Sequence, residues 1–453
     1  MRWGDAMARF LIFALVCCGL MTGVAHAAPA FDPDAATRAW IATMGPDAIH
    51  RSNSYFEGNY ILQFVGAAAT LLVAGLFLAL GWARALRVWL EARIKWYFVV
   101  ALAMALLYSL AAQILTFPLD FYVGFVREHQ YNLLNQDFGS WFGDYLIAAA
   151  INLPLNALII AIIYLIVRAA KSTWWIWASG VTVLFFIAQI VLEPVYFEPL
   201  FNKFQELQDG PVRQAVVEMA EANGVPAEHV YTYNRSRQSN AITAYVAGLF
   251  GTTRVVLADT LINRCDLGCV RAVMGHELGH YVLRHITSLI LMFAGLTILM
   301  FALLHVSFIR VIKGERWGIR DIWDPAGLPL ALALLTIFGT LATPLQNNVI
   351  RFHERQADYF GINAAREPDG FAEASILLSE YRKMEPSPLE EWFFYDHPSG
   401  YDRIHMAMVW KANEIAAGRL PSSPGGPPPG WRPDFVVMHQ TPQSAPKAAS
   451  PAN

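Results

Sequence analysis

Two histidines four residues apart, His276 and His280, flank a glutamate, Glu277, in the pentapeptide HELGH. On a helix, side chains at that spacing leave from one face. The two imidazoles can therefore share a tetrahedral metal ion while Glu277 stands beside the fourth, open position. A carboxylate there can take a proton from water acidified by the ion, so that hydroxide attacks a peptide carbonyl near neutral pH. The pattern predicts a zinc-dependent metalloendopeptidase with one Zn2+ per chain. Such a site needs a third protein ligand. Glu354, in the helix-prone stretch HERQAD just after an apolar run, is the residue expected there, since the run can fold it back onto the HELGH helix. Asp358 follows one turn later, placed to accept the free N–H of a ligating histidine. Read without HELGH, Glu354 and Asp358 would be acidic residues on a solvated helix face.

The elements that must position these residues are written in the composition. Of 453 residues 55% are hydrophobic and 15% charged, the mean hydropathy is +0.36 and the net charge is -3. These values point to a membrane protein and argue against a nucleic-acid-binding surface. Six segments are apolar and long enough to cross roughly 30 Å of hydrocarbon: Tyr60–Gly81, Trp96–Phe117, Tyr145–Val167, Thr173–Leu192, Ile286–Ile309 and Pro325–Val349. Backbone groups in lipid must bond within their own segment, so each is expected to be a helix.

Residues 1–27 read as a secretory signal peptide, with Arg2 and Arg9 before an apolar run and Ala25-His26-Ala27 at its end. The alternative is an uncleaved first helix. An extramembrane segment, 28–59, leads into a four-span membrane domain, 60–193. The metallopeptidase domain, 194–417, includes the last two spans. Within it Pro211–Asn223 and Leu261–Arg284 have helical patterning, as do the stretches around Arg351–Ala365, Gly370–Lys383 and Arg403–Ala416, while His229–Tyr233 and Arg254–Ala258 alternate like short strands. The tail, 418–453, with its SSPGGPPPG run, is expected to be disordered. Cys265 and Cys269 can pair in an oxidising compartment, although two free thiols is the plainer expectation.

Beyond HELGH, the sequence contains EPVYFEPLFNKFQEL at 193–207, FVREHQYNLLNQ within 121–138, SNA at 239–241, VVLADTL at 255–261, HELGHYVLRH at 276–285, ERQAD at 354–358 and HPSGYDRI at 397–404. In order and spacing these resemble the type I CAAX prenyl proteases, integral-membrane zinc metallopeptidases, and their bacterial relatives, over residues 60–417. The resemblance implies a mainly α fold, a polytopic membrane helical bundle around a chamber with a small α+β zincin-type catalytic domain at one end. It implies that His276, His280 and Glu354 bind zinc and that Glu277 is the general base. Asn240 is implied to lie on an edge strand that pairs with substrate backbone. His397 and Arg403 are implied to line the cleft and stabilise the oxyanion. Three departures stand out: Ile242-Thr243 intervenes after SNA where an aromatic is usual, CDLGC replaces an acidic helix start before HELGH, and the family's first span is replaced by the signal-like segment.

The reading is a membrane-embedded zinc endopeptidase for membrane-associated polypeptides, with polypeptide and lipid as its partners and no nucleic acid. A quality-control protease without prenyl-tail preference is the alternative, and a catalytically silent scaffold is disfavoured by the intact His276, Glu277, His280 and Glu354. Basic residues gather in three short loops, at Arg84, Arg87, Arg93 and Lys95, at Arg168 and Lys171, and at Arg310, Lys313, Arg316 and Arg320. By the positive-inside rule these are cytoplasmic, which puts the active site on the periplasmic face of a bacterial inner membrane.

Overall fold

The computed structural model describes residues 31–247, 253–313, 316–421 and 425–436, so the expected signal peptide lies outside the described residues. The membrane part is built from α2 (Gly45–Ala79), α3 (Tyr97–Phe121), α4 (Phe138–Ala170), α5 (Trp174–Leu192), α8 (His285–Val311) and α9 (Leu328–Ala365), preceded by a short α1 (Pro33–Ala42). Among the described residues five helical runs are long and apolar enough to cross a membrane. One of them, Phe138–Phe201, has 64 residues, about 96 Å of helix and three times the hydrocarbon thickness. It doubles back. Lys171, at φ 48°, breaks the helix between α4 and α5, which then pack on one another. The run therefore holds two of the six expected crossings. Small residues let the helices approach closely, with Ala101 and Ala105 of α3 and Ala157 and Ala161 of α4 fully buried.

At one end of the bundle the three basic loops meet. Arg87 and Arg320 both pair with the fully buried Asp324, Arg320 also reaches Glu91, and the Arg168 guanidinium lies 4.5 Å from the Tyr97 ring.

The other end carries the water-facing domain. Its sheet has the order β1-β2-β4-β3, with β1 Phe204–Glu206, β2 Val230–Tyr233, β3 Ala244–Ala247 and β4 Arg254–Ala258. β2 and β4 are parallel, as the two expected strands, while β3 runs antiparallel to β4 and forms an edge. Around it lie α6 (Pro211–Ala222), α7 (Leu267–Val282), α10 (Pro368–Leu378), α11 (Pro388–Phe394) and α12 (Gly400–Ala416). One core joins these elements, β1 and α11 apart, to the N-terminal segment, whose Phe31, Trp40 and Met44 are buried.

Four local differences from the sequence reading have clear causes. β1 and β3, of three and four residues, are too short to show a period. The expected helix Leu261–Arg284 is two helices, because Asp266 caps α7 by accepting from the Cys269 N–H at 2.7 Å. Cys265 and Cys269 flank that cap with Cα atoms 5.3 Å apart and are joined as a disulfide, where free thiols were the plainer expectation. The tail expected to be disordered packs over 425–436. Trp431 meets Trp40 edge-on at 5.1 Å, Phe435 is buried and Asp434 pairs with Arg264. The Pro/Gly-rich composition masked these two aromatic anchors. Gly425, at φ +80°, lets the chain pass so close to Phe31 that a Cβ would sit 2.5 Å from its ring.

Candidate functional site

The site forms where α7 crosses α9. The apolar run Pro325–Val349 and the polar stretch after it, expected as separate segments, form one helix of 38 residues, about 57 Å long, that rises out of the membrane and carries Glu354 and Asp358. Two glycines of α7 and one of α9 make the crossing tight. A Cβ on Gly361 would lie 2.7 Å from the His276 nitrogen, and one on Gly275 would lie 2.8 Å from the Gly361 carbonyl. A Cβ on Gly279, inside HELGH, would lie 3.1 Å from the Ala357 Cα. Glu354, Asp358 and Gly361 share one face of α9 at i, i+4 and i+7, so this backbone contact presses both carboxylates against the two histidines.

His276, His280 and Glu354 converge with their ligand atoms within 4.8 Å of one another. The His276 Nε2 is 3.2 Å from Glu354 Oε2, the His280 Nε2 is 3.5 Å from Glu354 Oε1, and the two Nε2 atoms are 3.1 Å apart. On the far side of the ring, His276 Nδ1 donates to Asp358 Oδ1 at 2.8 Å. This leaves its Nε2 lone pair aimed at the cluster. Glu354 Oε2 is buried and has no hydrogen-bond partner. An orphaned carboxylate oxygen facing imidazole nitrogens fits a cation between them. The electrostatics agree. Burial alone lowers the His276 imidazole, but the Asp358 and Glu354 carboxylates beside it outweigh burial and raise it, so the cluster favours positive charge.

Glu277 lies on the cleft side of α7 and is half-buried, with desolvation pushing its carboxyl above the usual range. The cleft, of 540 Å³, is walled by Ala241–Tyr245, His276, Glu277, His397 and Arg403. A larger cavity of 1090 Å³ lies behind it, between the end of α5, β3 and the α7–α8 turn. Both cavities touch Glu198 and Tyr245, whose hydroxyl donates to the Glu198 carboxylate. Sequence reading had passed over that pair, although Glu198 lies inside the quoted EPVYFEPLFNKFQEL stretch.

Two expected roles change. Asn240 is not on the edge strand. It lies four residues before β3, tied to the loop ahead of α4 by Asn135 Nδ2 donating to its Oδ1 at 2.8 Å, and the strand that faces the cleft is Ala244–Ala247. The intervening Ile242-Thr243 displaces SNA from the edge. Arg403 does line the cleft, but its Nε and Nη2 are bound to the two oxygens of Asp358 at 3.0 and 2.6 Å. It holds the carboxylate that holds His276. Arg403→Ala is expected to leave Asp358, only 2% exposed, without its charge partner, at a cost of about 3 to 5 kcal/mol. Thermal denaturation should show a lowered Tm, and metal analysis weaker metal retention. A normal Tm and full metal with a slowed chemical step would restore the oxyanion role. His397 lines the cleft, with Nε2 3.1 Å from Glu354 Oε2 and Nδ1 donating to Asp396 at 2.8 Å. Burial and the Arg382 charge lower its pKa.

A membrane-spanning helix that carries a carboxylate out to meet the paired histidines of α7, beside an open cleft, defines a membrane-embedded metallopeptidase. Comparison with known proteins gives the family. The description "CAAX prenyl protease N-terminal, five membrane helices" matches residues 35–203, and "Peptidase family M48" matches residues 206–411. The chain is 28% identical over 368 residues to the "Uncharacterized metalloprotease YhfN" of Bacillus subtilis, covering 80% of this chain and 86% of that one. It is 25% identical to "CAAX prenyl protease 1" of Saccharomyces cerevisiae over 338 residues, 69% of this chain and 73% of that one. Its fold is shared with the crystal structure of S. mikatae Ste24p, with a TM-score of 0.69 at 22% identity over 83% of this chain and 95% of that one. The chain belongs to the M48 peptidases of the CAAX prenyl protease type, and it is an integral multi-pass membrane metalloprotease.

Proposed function

We propose that this chain is a zinc endopeptidase that cleaves membrane-associated polypeptides on the extracytoplasmic face of the membrane. The observation that carries the chemistry is the convergence of His276, His280 and Glu354 from two helices, with Glu277 beside them on the cleft. Two imidazoles and one carboxylate are a zinc donor set that leaves one position open, and zinc bound there would acidify water and polarise the scissile carbonyl. Glu277 is assigned to take the proton from the attacking water and pass it to the leaving amine. The edge of β3 offers backbone groups to an extended substrate. His397 keeps the oxyanion role expected of it, which requires a proton on Nε2 while substrate is bound. Arg403 acts through Asp358.

The relatives named for prenyl proteolysis suggest a lipidated C-terminal peptide as one substrate. The cavity of 1090 Å³ behind the cleft, lined partly by Ile190, Val191 and Leu192 at the end of a span, has room and apolar wall for such a tail. Incubating zinc-loaded protein with a farnesylated peptide and its unprenylated twin tests this. Faster cleavage of the farnesylated peptide supports the prenyl reading. Equal rates, with cleavage of misfolded membrane proteins, assign quality control.

Three observations support the extracytoplasmic face. The three basic loops gather at the end of the bundle opposite the site, the Cys265–Cys269 pair suits an oxidising compartment, and the described part of the segment expected outside the membrane packs on the catalytic domain through Phe31, Trp40 and Met44. Alkaline phosphatase joined after Leu207 or after Ala417 is expected to be active, and a fluorescent protein that matures only in the cytoplasm to be dark at both. The reverse pattern would place the site in the cytoplasm.

A further inference from the structure

The two histidines of HELGH are held from behind by unlike partners. His276 has Asp358. His280 has His285, whose Nδ1 lies 3.0 Å from the His280 Nδ1. Only one proton can sit between two imidazole nitrogens, and its owner follows from the site. With its Nε2 directed at the cluster, His280 must carry its hydrogen on Nδ1, so His280 donates and His285 accepts through a bare Nδ1.

The surrounding structure holds His285 in place for this. α7 ends at Val282, and Arg284 takes the left-handed conformation at φ 56°. That reversal makes His285 the first residue of α8 and turns its ring back beneath the last turn of α7. His285 is only 2% exposed. On the other side its ring meets His353 of α9 edge-on, with centroids 4.8 Å apart and planes at 83°. His353 is fixed in turn. Its Nδ1 donates to the Val349 carbonyl at 2.7 Å, which leaves Nε2 to accept from the Ser288 hydroxyl at 2.8 Å. α7, α8 and α9 thus all contribute to the setting of one imidazole.

We infer that His285 is a positioning residue for the metal site, a neutral acceptor that fixes the ring plane and tautomer of His280. The inference rests on the metal reading of His276, His280 and Glu354. The asymmetry has a chemical consequence. Only His276 is backed by an anion, so the donor set gains basicity on one histidine, and the cluster keeps a single negative charge, that of Glu354, against the metal.

The test is the metal affinity of the detergent-solubilised full chain, measured by zinc competition with a chromogenic chelator, for wild type, His285→Asn and His285→Leu. Asn offers a neutral oxygen near the place of Nδ1, and Leu offers nothing. His285→Leu should weaken zinc binding on the order of 10- to 100-fold, the usual cost of losing such a partner, and Asn should restore it to within about threefold. In cobalt-loaded protein the visible absorption of the Leu variant should shift, and that of the Asn variant should match wild type. Chelator-stripped wild type and Leu variant should melt at the same temperature. Equal zinc affinity in all three proteins, equal losses in Asn and Leu, or a Leu variant less stable even when stripped would each overturn the positioning role. A wild type that binds no zinc would instead overturn the metal reading itself.

Discussion

Replacing Glu277 with Gln is expected to abolish peptide hydrolysis while leaving the metal in place. The side chain lines the cleft, whereas the nitrogens and oxygens that converge within 4.8 Å belong to His276, His280 and Glu354. Gln keeps the shape of Glu277 and removes only its capacity to take a proton. A general base contributes on the order of 10²- to 10⁴-fold. Turnover in E277Q should therefore fall by roughly 10³-fold or more, about 4 kcal/mol of transition-state stabilisation. Burial raises the Glu277 carboxyl, so the wild-type rate should decline toward acid pH from a point above the ordinary carboxylate range. The measurement is kcat on a quenched fluorescent peptide, together with metal per chain by mass spectrometry. Turnover near wild type would remove Glu277 from the mechanism, and loss of metal would move it into the ligand set.

Glu354→Ala is expected to lose both metal and activity. Glu354 supplies the only negative charge among the three converging residues, and its Oε2 faces His276 and His397 at 3.2 and 3.1 Å without a hydrogen bond. Removing it leaves two neutral imidazoles, too few for a closed zinc site. The fall in affinity should exceed the 10- to 100-fold typical of losing a partner behind a ligand. Because metal binding to the folded state stabilises it by mass action, adding zinc should raise the Tm of stripped wild type and leave that of E354A unmoved. Full zinc and activity in E354A would require another third ligand.

Much of this protein can be read without coordinates. HELGH, ERQAD and HPSGYDRI carry the chemistry as local patterns, and the spans carry the membrane reading as long apolar runs, because both are properties of consecutive residues. The limits are equally local. Nothing near Asn240 in sequence shows that Asn135, 105 positions earlier, holds its side chain away from the edge strand. Arg403 looks like a cleft cation until Asp358 is seen to occupy its guanidinium. The tail's composition suggested disorder because Trp431 and Phe435 are two residues among many prolines and glycines, and their contacts lie on α1 and the catalytic core.

The sequence by itself determined the helical membrane architecture and the family, and it named the candidate ligands and base, since each follows from spacing along one chain segment or from hydropathy summed over about 20 residues. Only the tertiary structure decided which histidine Asp358 backs, what holds Asp358 in turn, and what backs the other histidine. Asp358 reaches His276, and Arg403 reaches Asp358, because Gly275, Gly279 and Gly361 let α7 and α9 touch backbone to backbone. His285 reaches His280 because the chain reverses at Arg284. Such contacts depend on distances between helices, which are set by packing across residues far apart in the chain, and no periodicity in the sequence encodes them.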